Sequence, residues 1–177
     1  MKKKLTVSLA VLALVACMAA GATLAWLTAK TSSVTNTFTY GDINIELKET
    51  TGESYKMVPG NKITKDPKVT VKANSEACWL FVKVEKSSNF GDFMTYDIAS
   101  GWTKLDGVDG VYYREVASPT DDTVFDVLKD NSVTVKTTVT KELFNSLTSN
   151  PTLTFTAYAC QKDNVSTATQ AWNFVNE

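Results

Sequence analysis

Few side chains in this sequence are equipped for chemistry. Past the apolar N-terminal run there are only two cysteines, Cys78 and Cys160. Outside a cell, an isolated pair suggests a disulfide. Cys78 opens one alternating apolar stretch and Cys160 closes another, so antiparallel pairing of the two would bring them together. Parity objects: Cys78 is in phase with Leu80 and Val82, whereas Cys160 is in phase with Thr154 and Thr156. A cross-strand bridge needs compatible faces, or a bulge that resets one of them. The pair is read either as a bridge or as two separate small thiols.

The chain has no histidine, which removes Ser-His-Asp and Cys-His catalysis and the His-based zinc sites of common metalloproteases. Neither cysteine then has a base to activate it. Arg114 is the only arginine, so a phosphate clamp has no support. Asp106-Gly107-Val108-Asp109-Gly110 and Asp121-Asp122 lack the regular ligand spacing of a calcium loop and read as tight turns and a solvated acidic loop. Carboxylate pairs such as Asp92 and Asp97 arise by chance among 19 acidic residues. The aromatics Trp79, Phe81, Tyr96, Trp102, Tyr112, Tyr113 and Phe125 read as packing residues rather than a ligand platform. The expectation is a protein that is not an enzyme and has no metal or cofactor.

Met1-Lys2-Lys3-Lys4 followed by the apolar stretch Leu5 to Val15 is an export signal, and the run continues to Trp26-Leu27. The basic flank keeps the N-terminus inside and places everything after Lys30 outside. Three fates fit. One is cleavage between Ala25 and Trp26, with Ala20-Gly21-Ala22 as a second cutting site; the others are lipidation at Cys17 in Leu14-Val15-Ala16-Cys17, or retention as an anchor. The first gives a signal peptide over 1–25, an N-terminal segment over 26–36 and a domain over 37–177. Of the 18 basic residues, Lys2, Lys3 and Lys4 leave with the leader, so 15 remain against 19 acidic ones, a net charge of −4. Such a balance gives no support to nucleic-acid binding.

The rest of the chain is dominated by alternation of period two, the mark of half-buried strands. The stripes are Ile43/Ile45/Leu47, Val69/Val71, Leu80/Val82/Val84, Val133/Val135/Thr137/Val139 and Leu153/Phe155/Ala157/Ala159. Trp79 and Phe81 make the third stretch apolar on its other face as well, which predicts burial on both sides. Turn residues separate the stripes at Thr51-Gly52, Pro59-Gly60, Asn89-Phe90-Gly91, Asp106-Gly107, Asp109-Gly110, Ser118-Pro119 and Asn150-Pro151. Short strands and frequent turns predict an all-β sandwich. Two stretches read as helical: Lys141 to Leu147, and Ser166 to Val175 with Ala168, Ala171, Trp172 and Val175 on one face.

Residues 1–85 resemble the TasA/camelysin type of secreted protein. The match lies in "GATLAWLTAKTSSVTNTFTYGDINIEL", in Thr37-Phe38-Thr39-Tyr40-Gly41-Asp42-Ile43-Asn44-Ile45, and in Pro59-Gly60-Asn61-Lys62-Ile63-Thr64-Lys65. Beyond residue 85 the likeness is weaker. The resemblance implies a jelly-roll-like β-sandwich, a leader cut before Trp26-Leu27-Thr28 by a SipW-type signal peptidase, and membrane contact only through that leader. It also implies an extracellular biofilm-matrix subunit that polymerises by donor-strand complementation, with residues 26–36 of one copy completing the sheet of the next. The protease activity described for camelysin is not carried over, since the histidines are absent.

Residues 26–36 suit that role independently. They contain no Gly or Pro and one charged side chain, Lys30, and Trp26, Leu27 and Val34 can dock in an acceptor groove. The competing reading is a frayed terminus. The partners expected are further copies of this chain or a matrix accessory subunit. A monomeric exported binding or accessory module is the alternative function, and a carboxylate-only hydrolase a third.

Overall fold

A computed structural model describes residues 42–52 and 55–176, which belong to one compact unit, Tyr40–Glu177. The leader, the Ala25/Trp26 junction and the proposed donor residues Trp26, Leu27 and Val34 lie outside the described residues.

Among the described residues ten strands form, most of them rich in β-branched and aromatic residues. They are β1 (Ile45–Lys48), β2 (Lys62–Thr64), β3 (Lys68–Val71), β4 (Cys78–Lys86), β5 (Met94–Thr95), β6 (Thr103–Lys104), β7 (Val111–Val116), β8 (Thr123–Asp126), β9 (Ser132–Val135) and β10 (Leu153–Gln161). Three antiparallel sheets result, in the orders β1-β3-β8, β10-β4-β7-β6 and β2-β9-β5. The first and third are joined. β2 and β3 together run antiparallel to β8 and β9, and the Lys65 amide donates to the Asn131 carbonyl (2.8 Å) while that of Val127 donates to the Pro67 carbonyl (3.0 Å). Pro67 has no N–H, and a 3-10 turn at Lys129–Asn131 interrupts the opposite strand, so the ladder is broken there into two sheets.

β4 is the centre of the fold. On one face Cys78, Leu80, Val82 and Val84 pack against Val69, Val71 and Val127 of the facing sheet, forming the sandwich core. On the other face Trp79 and Phe81 meet Ala168, Ala171 and Trp172 of helix α3 (Ala168–Val175). A strand covered on both sides is what its doubly apolar sequence predicts. Thr167 caps α3 by accepting from the Gln170 amide (3.2 Å), and the Trp79 indole holds the preceding loop by donating to the Val165 carbonyl (2.9 Å).

The architecture is therefore an all-β sandwich with short helices, as the alternation predicts. The two helical stretches are present, as α2 (Lys141–Asn145) and α3. The predicted turn at Asn89-Phe90-Gly91 is instead the start of a further helical turn, α1 (Phe90–Phe93), because Phe90 and Phe93 both find buried positions. The Val133/Val135 stripe stops at Val135: Thr137 is exposed, and Val139 is buried beside α2 rather than in a strand. β7 escapes the alternation rule because Tyr112 and Arg114 face the core while Tyr113 faces α3.

Candidate functional site

A strand inside a sheet has two neighbours; a strand at the edge leaves one row of N–H and C=O groups unpaired. β10, the nine-residue strand at one end of its sheet, pairs with β4, and among the described residues no strand pairs with its other side. Its side chains show the consequence. Phe155, Ala157 and Ala159 face the core opposite Val84, Val82 and Leu80. The β4 residues are sealed, at 4%, 0% and 0% exposure, whereas all three from β10 are only half-buried.

Among the described residues β1 is likewise an edge strand, and the two strands border one open groove of ≈ 820 Å³. Leu47 and Lys48 contribute from β1, and Leu153, Thr154 and Phe155 from β10. The apolar lining is completed by Met57, Ile63, Phe90, Met94 and Val133.

One end of the groove is polar, and it is built at the β2–β3 junction. The Lys65 ammonium donates to Glu49 Oε2 (2.6 Å), with the two side chains only 12% and 23% exposed, and it lies 5.3 Å from the Tyr55 ring centre. Glu49 Oε1 is buried and has no hydrogen-bond partner among the described residues. Behind this pair, buried Asp66 accepts from the Thr50 hydroxyl (2.6 Å), the Thr50 amide (2.9 Å) and the Thr51 hydroxyl (3.0 Å). The Thr50 hydroxyl and then its amide hold the Asp66 carboxyl down to about 2. This carboxylate ties the segment leaving β1 to the body of the domain.

The other sequence-derived candidates are placed as follows. Cys160 stands opposite Trp79 in the ladder and Cys78 opposite Gln161, so alternation sends the thiols to opposite faces of the sheet. Both are free: Cys78 points into the sandwich core and Cys160 packs on the α3 side. The disulfide reading is corrected accordingly, since no bulge resets the register between Leu153 and Gln161. Burial pushes the Cys78 thiol up to about 11 and raises that of Cys160.

Asp106 and Asp109 sit in turns closed by Gly107 and Gly110, both at positive φ. Asp122 accepts from the Ala73 amide (2.9 Å) and Lys72 (3.0 Å), bonds that lower its pKa. Among the described residues no three Cys, Asp or Glu side chains converge as metal ligands would. The aromatics pack in pairs, Trp79 on Tyr113 and Trp102 on Phe125, and the Arg114 guanidinium lies 3.8 Å from the Phe125 ring centre.

Sequence reasoning found the β10 stripe but not its edge position, and it missed Glu49, Tyr55 and Lys65. Glu49 and Lys65 are 16 residues apart in a stretch of ordinary polar composition, and the antiparallel pairing of β1 with β3, which ends at Lys48 opposite Lys68, brings them together. No family model, curated protein or solved structure matches this chain.

Proposed function

We propose that the mature chain is an exported, non-enzymatic matrix or surface subunit that polymerises by strand donation. In this reading residues 26–36 of one copy, released by a SipW-type signal peptidase, lie along β10 in the groove of the next copy. One observation carries the proposal: among the described residues β10 is a long strand with an unpaired edge and a half-covered inner face, and its first residues border an open groove lined by apolar and polar side chains. An added strand satisfies the backbone row and covers Phe155, Ala157 and Ala159 in one step. The N-terminal segment has the composition for this, and the resemblance to TasA/camelysin-type proteins points the same way.

Negative-stain electron microscopy of residues 26–177 beside residues 37–177 tests the reading. Fibres from the first and not from the second are expected. Fibres from both, or from neither, would overturn it. A monomeric 26–177 that buries its own segment, or leaves it free, would favour the exported binding module.

A further inference from the structure

An open sheet edge is a template for another strand, and folded proteins blunt it with short strands, charges, proline or bulges. The strands that end the three sheets differ in this respect. β1, β2, β5, β6 and β8 run two to four residues, and all except β5 carry a charged side chain. β10 runs nine residues, from Leu153 to Gln161, with no charge, no proline and no bulge against β4. Among the described residues it is the one long edge without such protection.

Its register fixes which backbone groups face outward. The Ser87 amide donates to the Thr152 carbonyl (3.1 Å) and the Lys162 amide to the Ala77 carbonyl (2.9 Å), both in line with the β4 ladder. Even-numbered residues therefore turn their backbone groups to β4, and Leu153, Phe155, Ala157, Ala159 and Gln161 turn theirs to the open edge. That row is symmetric about Ala157. A second β10, antiparallel across a twofold axis at Ala157, places Leu153 opposite Gln161, Phe155 opposite Ala159, and Ala157 opposite itself. An axis at Thr156 would set Gln161 against Pro151, which has no N–H, and one at Tyr158 would set Leu153 against Asp163, beyond the strand. The side chains agree with the central axis. On the core face a large Phe155 meets a small Ala159, and no like charges are opposed along the strand.

We infer that two copies of this domain pair through β10 about Ala157, joining their four-stranded sheets into one. The occupant is a second copy because the outward row matches itself and carries no charge for a foreign strand to complement. The inference goes beyond strand donation and stands on β10 alone, whatever residues 26–36 do. Donor and twofold partner compete for one edge. A twofold pair is closed, so it stops at two copies and makes no fibre. It is the form open to copies whose edge holds no donor, and dilution returns a monomer with Phe155 half-covered.

Sedimentation of residues 37–177 against protein concentration is the test, since they hold the whole described unit and none of residues 26–36. A reversible monomer–dimer equilibrium is expected. Ala157→Pro removes an outward N–H and leaves the β4 ladder intact, so it should raise the dissociation constant about tenfold or more, with a thermal melt to show that it is folded. Cross-linking reads the axis without that variant. In a Cys160→Ser background treated with diamide, Ala157→Cys should give a disulfide-linked dimer, because the axis sets this position against its own copy at about 5.5 Å between Cα atoms. Phe155→Cys alone should not cross-link, but mixed with Ala159→Cys it should. A protein that stays monomeric to about millimolar concentration overturns the pairing. So does self-cross-linking of Phe155→Cys where Ala157→Cys gives none. Strand donation is read separately, by fibres from residues 26–177, and survives either result.

Discussion

Phe155 stands directly opposite Val84 across the β10–β4 ladder, yet Val84 is sealed and Phe155 is only half-buried. The two share a sheet face and a core. They differ in their outer neighbour: β4 has β7 beyond it, whereas β10 has no strand there among the described residues. This difference underlies the functional proposal and has its own consequence for stability.

Phe155→Ala should destabilise the isolated domain by about 1–2 kcal/mol, less than the ~3–5 kcal/mol typical of a sealed phenylalanine. Phe81→Ala, at a wholly buried site, is the comparison. Urea unfolding of the two variants in residues 37–177 measures both. An equal loss would mean that Phe155 is covered in solution.

Gly110 closes the turn into β7 at φ +70, and its carbonyl accepts from the Val84 amide (2.7 Å). A Cβ there would lie 2.4 Å from the Val84 carbonyl oxygen, which is backbone and cannot swing aside. Gly110→Ala should therefore cost roughly 2–4 kcal/mol, from the left-handed conformation together with the clash. Gly107→Ala, also at positive φ but with open space around it, should cost about 1 kcal/mol. Thermal melts of the pair separate steric from conformational strain.

Asp66 titrates near 2 in the folded state against an ordinary 3.8, because Thr50 and Thr51 donate to its ionised form. A folded pKa below the unfolded one stabilises the protein above about 4, and that contribution fades as pH falls through about 2. Urea midpoints of the wild type and Asp66→Asn should differ at neutral pH and converge towards pH 2. A gap that stays constant across that range would exclude the carboxylate as its source.

Both cysteines should titrate as thiols in the folded protein, with no change in mass on reduction. Cys160, half-buried, should label before Cys78, which is wholly buried and whose thiol is pushed up to about 11. Timed alkylation followed by peptide mapping reads the order. Equal rates would show that the β4–β10 ladder opens as fast as the reagent reacts.

Much of this protein was legible in its order of residues. The missing histidines excluded whole classes of catalysis, and period-two stripes located β1, β3, β4 and β10, because alternation is a local property that any half-buried strand must display. The second apolar face of β4 announced its double burial, and the phase of Cys78 against Cys160 already argued against a bridge. Other features were decided only in three dimensions. β7 was hidden because Arg114, which reads as a surface residue, is covered by Trp102 and Phe125. The edge position of β10 follows from strand order, which depends on how distant segments pair and leaves no periodic trace in β10 itself. The Glu49–Lys65 pair likewise exists because β1 pairs antiparallel with β3, bringing together two charges that one-dimensional spacing does not relate.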